Sequence, residues 1–137
     1  MKNIYRFLIV VIFILTASVS AAAAADITVQ FDGFTDAQGN AVTELQSSET
    51  AVANFRVSNA SGQAETVSVI SVLYDDKGDM VAYTQTGIAL DPGEEQEILS
   101  GLTVPDEQDI FKIYTLKTFV WKSIEEGIAY SDAYILR

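Results

Sequence analysis

From residue 26 onward, apolar and polar positions alternate in short runs separated by turn-forming residues, and no segment sustains the 3.6-residue apolar period of an amphipathic helix. Ile27, Val29 and Phe31 alternate with Thr28 and Gln30; Asp32-Gly33 reads as a first turn and Asp36 to Asn40 as a second. Ala53, Phe55 and Val57 alternate with Asn54, Arg56 and Ser58 until Asn59-Ala60-Ser61-Gly62 closes the run. Thr66 to Tyr74 is apolar on both parities, which predicts a central strand, with a bulge near Val69-Ile70. Asp75 to Asp79 forms a hairpin turn into Met80 to Thr86. Asp91-Pro92-Gly93-Glu94 has the residues of a type II turn and leads into Gln96, Ile98, Ser100, Leu102 and Val104. Pro105 to Asp109 is a polar loop. The longest predicted strand is Phe111 to Lys122, and after a turn at Glu126-Gly127 the last runs from Ile128 to Leu136. Seven or eight strands at this spacing predict an all-β, immunoglobulin-like or fibronectin-type-III-like Greek-key β-sandwich. A closed small barrel is the competing architecture.

The first 25 residues are of another kind. Lys2 and Arg6 precede an unbroken apolar run from Phe7 to Leu15, and Ala21 to Ala25 offers overlapping small-residue cleavage sites at Ala23, Ala24 and Ala25. This predicts a cleaved signal peptide over 1–25 and a single domain over 26–137, exported to the extracellular space or cell surface. The competing reading is an uncleaved anchor, because the apolar run with its alanine tail approaches the roughly 20 residues that cross a bilayer.

Composition removes several function classes. The 137 residues include no Cys and no His, so the chain has no Ser-His or Cys-His pair, no disulfide and no zinc site of the usual kind. Two of the 8 basic residues and none of the 19 acidic ones lie in 1–25, leaving 6 against 19, a net charge of −13. So acidic a surface repels phosphate backbones and anionic lipid, which speaks against nucleic acid and, after leader cleavage, against membrane. A cysteine-free exported domain fits bacterial secretion better than the disulfide-stapled domains of animals. The acidic turns are poor calcium loops: Lys77 stands where Asp75 to Asp79 would need an oxygen ligand, Asp36 to Asn40 fails similarly, and Asp106, Glu107 and Asp109 would hold the ion only weakly. No metal or other cofactor is expected. Asn59-Ala60-Ser61 matches a glycosylation sequon, but a strand-end turn accounts for it.

The run of Gly39-Asn40, Leu45, Phe55-Arg56-Val57-Ser58-Asn59, Leu73-Tyr74-Asp75 with Gly78, Leu90 with Pro92-Gly93-Glu94, Val104-Pro105 and Lys117-x-Phe119-Val120-Trp121-x-Ser123-Ile124 resembles the β-sandwich accessory modules found at the ends of large secreted bacterial surface proteins and carbohydrate-active enzymes. After Trp121 the chain departs from the acidic residue and Met-x-Pro-Leu ending of those modules, reading Lys122-Ser-Ile-Glu-Glu-Gly-Ile-Ala-Tyr130. The resemblance implies a non-catalytic sandwich and supplies no catalytic residues.

One stretch has the character of a binding surface. By the period of two, Leu116, Thr118 and Val120 point one way while Lys117, Phe119 and Trp121 point the other. With the first set inward, the second is an outward aromatic ridge that a sugar ring or a partner's apolar patch could stack on. The more common arrangement buries such a tryptophan in the sandwich or under the terminal segment, with Lys117 reaching outward to solvent. Tyr130 and Tyr134 share one parity with Ile128 and Leu136, and either cap the core edge or extend the platform. The tentative ligand or partner face is therefore Lys117, Phe119, Trp121, Tyr130 and Tyr134. A domain this small with short loops has little room for the carboxylate-lined cleft of a glycosidase, so no enzyme is expected. The expected role is protein interaction or assembly, with a protein or cell-surface component, polysaccharide included, as partner. Carbohydrate binding through the aromatic face is the alternative, and a small protease inhibitor acting through its loops is a third.

Overall fold

The structure, a computed structural model, describes residues 26–106 and 112–137. The leader, the loop acids Glu107 and Asp109, and Phe111 at the expected start of the longest strand lie outside the described residues.

Among the described residues seven strands form two antiparallel sheets: β1 (Ile27–Thr35), β2 (Thr50–Asn59), β3 (Glu65–Tyr74), β4 (Met80–Leu90), β5 (Glu95–Thr103), β6 (Thr115–Trp121) and β7 (Tyr134–Leu136). The order β1-β2-β5 makes one sheet and β4-β3-β6-β7 the other, so the closed barrel does not form. Placing β4 beside β3, rather than on the three-stranded sheet as in immunoglobulin constant domains, gives the three-plus-four variant of the predicted sandwich.

The core follows the alternation. Ala51, Ala53, Phe55 and Val57 of β2 face Val67, Val69 and Leu73 of β3 and Leu116 and Val120 of β6, all buried. One polar feature crosses this interior: the hydroxyl of Ser71 on β3 bonds Ser100 of the opposite sheet at 2.7 Å and Thr118 of β6 at 2.9 Å. Each hydroxyl thereby has a partner where water cannot supply one.

Several boundaries differ from expectation, each for a local reason. Asp32-Gly33 is not a turn. Phe31 pairs with Phe55 and Gly33 with Asn54, so Asp32 is the extra residue of a β-bulge, which Gly33 permits at φ 118°. The bulge resets the parity, so Phe34 rejoins the core. In β3 no bulge occurs at Val69-Ile70; the register shift falls at Leu73/Tyr74, opposite Met80 to Ala82. The double apolar parity of β3 has another cause: it is central, and on its outer side Ile70 and Val72 are also buried. Lys112 to Tyr114 lie outside β6, so among the described residues β4, not β6, is the longest strand. The expected last strand shrinks to Tyr134–Leu136 because the backbone N–H groups of Tyr130 and Ser131 both donate to the Val120 carbonyl, at 2.8 and 3.2 Å, which breaks the ladder.

Candidate interaction face

The two outer faces of the sandwich have opposite character. On the three-stranded sheet the outward residues include Gln30, Asp32, Asn54, Arg56, Glu95 and Glu97, with Leu99, 56% exposed, as an isolated apolar side chain among them. Arg56 bridges Asp32 at 3.3 Å and Glu95 at 3.8 Å, an ordinary solvated ion-pair surface.

On the four-stranded sheet the register carries apolar rows across neighbouring strands. Tyr83, Val72, Lys117 and Ile135 lie in one row, and Gln85, Ile70 and Phe119 in the next, with Trp121 opposite Ser68 beyond them. Tyr83 is 63% exposed and Ile135 47%, while Phe119 and Trp121 are half-buried. Trp121 therefore does not belong to the core: Leu116, Thr118 and Val120 fill the inner side of β6 and send its odd-numbered residues outward. The Lys117 ammonium lies 5.2 Å from the Tyr74 ring centroid, within cation–π range. The Phe119 and Trp121 rings are 6.0 Å apart and tilted by 56°, so they form a ridge, not a flat platform.

Tyr130 and Tyr134 are elsewhere. Tyr134 pairs with Thr118, an inward residue, and so enters the sandwich, stacking on Phe31 at 4.2 Å and meeting Phe55 at 5.4 Å. Tyr130 packs against the core rim. Burial, and secondarily the negative Glu65, pushes its hydroxyl pKa up. Of the five sequence candidates, then, Lys117, Phe119 and Trp121 share a face, while the two tyrosines close the core edge.

The turns hold their own acids. Asp36 accepts the backbone N–H groups of Gln38 and Asn40 at 2.9 and 2.8 Å, and Asp75 those of Lys77 and Asp79 at 3.0 and 2.9 Å. Gly39 and Gly78 close these matching turns at positive φ. The Asn40 side-chain amide, with the backbone donors, keeps the Asp36 carboxyl below its ordinary range. The Asp91 N–H, seconded by the Gln96 amide, does the same for Glu94. Among the described residues no group of three or more acids is placed to hold a metal ion. Asn59 is 1% exposed: its amide donates to the carbonyls of Gln63, Leu90 and Asp91 at 2.8, 3.0 and 3.2 Å and accepts Ser61 N–H at 2.9 Å. It is a structural pin at the sequon, as the turn reading expects.

Beside the face, Tyr74, Asp75, Asp76, Lys77, Thr115, Lys117 and Arg137 line an open groove of about 490 Å³. Sequence reasoning missed Tyr83 and Ile135 as members of the face. The available signal was the eleven-residue run from Met80 to Leu90, which holds no charged residue.

No family model matches the sequence, and no curated protein matches it. Among solved structures the fold is similar to part of the alkylpurine DNA glycosylase AlkC of Pseudomonas fluorescens, with a TM-score of 0.53 and 14% identity over 85% of this chain and 32% of that one. It is also similar to part of a β-glucosidase from Listeria innocua, with a TM-score of 0.50 and 18% identity over 80% of this chain and 15% of that one. A Bacteroides uniformis β-glucuronidase gives a TM-score of 0.49 at 14% identity, over 80% of this chain and 12% of that one. The chain thus spans at most about a third of the length of these proteins, and what it shares with the first two is a β-sandwich fold.

Proposed function

We propose that the chain is an exported, non-catalytic β-sandwich module that engages a protein partner at the bacterial surface through the outer face of its four-stranded sheet. The observation that carries this reading is the asymmetry of the two outer faces: one is mostly polar and ion-paired, with Leu99 as a lone exposed apolar residue, while the other bears Tyr83, Phe119, Trp121 and Ile135 around buried Ile70 and Val72. Contiguous exposed apolar surface rimmed by polar groups is characteristic of interaction sites.

The test compares the immobilised protein with Tyr83→Ser/Ile135→Ser and Arg56→Ala variants against solubilised cell-surface protein. A partner retained by the wild type and by Arg56→Ala but lost with the double variant is the expected result. Equal retention by all three, or none, overturns the proposal. Polysaccharide binding is the second reading, favoured by the partial exposure of Trp121. It calls for depletion of the protein from solution by insoluble cell-wall or plant polysaccharide, reversed by Trp121→Ala.

A further inference from the structure

Of the four sheet edges, three are guarded. In the three-stranded sheet, β1 is interrupted by its bulge and carries Asp32, and β5 carries Glu95 and Glu97. In the other sheet β7 is only three residues long. The remaining edge is β4, eleven residues without a charge or a proline, where Met80, Val81 and Tyr83 are 61%, 42% and 63% exposed. Among the described residues no backbone outside the strands bonds to Met80–Ala89. A register shift at Val81, near the start of β4, leaves Ala82–Leu90 a regular, uncharged edge; such an edge is a template for another strand, and natural proteins normally blunt one that has no use.

Charge decides which strand. Asp75, Asp76 and Asp79, against the single Lys77, stand just before β4, and Asp91, Glu94 and Glu95 stand just after it. A second copy pairing along β4 sets acid against acid at both ends in either orientation, on top of the repulsion between two strongly acidic domains. A heterologous strand with an uncharged, alternating middle and a basic residue at each end meets opposite charge at both ends.

We infer that β4 is a strand-addition site that takes an extended segment of another protein, uncharged and β-branched in its middle and flanked by Lys or Arg. The inference rests on the proposed partner-binding role and names the partner's chemistry. An added strand continues the apolar rows of the outer face, lying beside Tyr83, with backbone hydrogen bonds giving affinity and the flanking charges selecting the partner.

The test titrates the purified protein with a synthetic peptide of alternating Thr and Val bearing two Lys at each end, and with a twin bearing two Glu at each end. Amide hydrogen exchange is read in parallel. The Lys-flanked peptide binds at least about tenfold more tightly, weakens with salt and protects amides of Met80–Leu90. In Asp76→Lys/Asp79→Lys/Asp91→Lys, checked for native circular dichroism, the preference between the twins reverses. Equal binding of the twins, binding of neither, protection centred outside β4, or β4 protection that rises with protein concentration alone each overturns the inference; the last identifies a second copy as the occupant. If these fail while the Tyr83→Ser/Ile135→Ser variant still loses its surface partner, the edge is refuted and the face reading stands. If that capture also fails, both fall.

Discussion

Asn59 offers the sharpest test of how the sandwich is held together. It ends β2, and its side chain ties the β2–β3 turn to the β4–β5 turn through four hydrogen bonds, with only 1% of its surface exposed. In Asn59→Ala all four are lost. Gln63 O keeps the Ser61 hydroxyl at 2.8 Å, and water can reach the exposed Asp91, while buried Leu90, paired with Glu65 in the ladder, loses one donor at its carbonyl. At about 1 kcal/mol net per bond, less what the Ser61 hydroxyl restores at Gln63 and water at Asp91, the loss of the four comes to roughly 3 kcal/mol. For a domain of this size that lowers Tm by about 12 °C. Asn59→Asp keeps the shape but turns an oxygen toward three carbonyl oxygens, so it destabilises more than alanine at neutral pH. Its carboxyl pKa is raised in the folded state, so this variant's relative stability improves as pH falls, because the protonated acid regains a donor. Urea unfolding followed by Trp121 emission measures both. A loss under about 1 kcal/mol for Asn59→Ala, or Asn59→Asp less damaging than Asn59→Ala at neutral pH, would refute the pin.

Further outcomes follow from the hydroxyl chain, the turns and the shifted acids. Ser71→Ala removes the shared partner of Ser100 and Thr118 and costs about 1–3 kcal/mol by urea denaturation, whereas Ser71→Ala/Ser100→Ala/Thr118→Val falls well short of the summed single losses. Gly39→Ala and Gly78→Ala each cost about 1 kcal/mol through backbone strain alone, since an added Cβ meets nothing within 4 Å; Gly62→Ala, with the same open space and no positive φ, stays neutral or slightly stabilises. Asp36 and Glu94 titrate below their unfolded values, so their contribution is present above the ordinary carboxylate range and is lost as pH falls through the lowered values. Tm measured from pH about 6 to about 3 therefore declines less steeply in Asp36→Ala/Glu94→Ala than in the wild type.

The inward set of β2 and the division of β6 into two opposite sets were legible in the sequence because burial on one side of a strand writes a period of two. Where a strand is covered on both sides the period vanishes, and β3 could be read as central but not given a face. β4 shows a stronger ambiguity. Its inner side carries Ala82, Thr84, Thr86 and Ile88, and its outer side Val81, Tyr83, Gln85 and Gly87. The larger ring is outward, so alternation alone points the wrong way. Period two placed Lys117, Phe119 and Trp121 together because β6 is regular. It misgrouped Tyr130 and Tyr134 because the chain between Ala129 and Ser131 bonds to Val120 in a broken register that no hydrophobic pattern encodes. The Asp32-Gly33 bulge was hidden for a related reason: a turn and a bulge ask for the same residues.

The directions of the first and last strands bear on how the domain responds to tension. Ile27 opens β1 at the end of the sandwich marked by Asn59, while Leu136 closes β7 at the other end, paired with Leu116. The two strands lie in different sheets and face each other through the stack of Phe31 on Tyr134. A pull applied between Ile27 and Leu136 therefore runs along the strands, loading the paired residues of β1 and β2 in parallel instead of peeling them one by one. The same pull slides one sheet over the other, and the Ser100–Ser71 hydroxyl bond is a directional tie between them that resists the slip. A pull between these two ends thus meets the strands in shear, and the lifetime of the fold under load is governed by the unfolding rate.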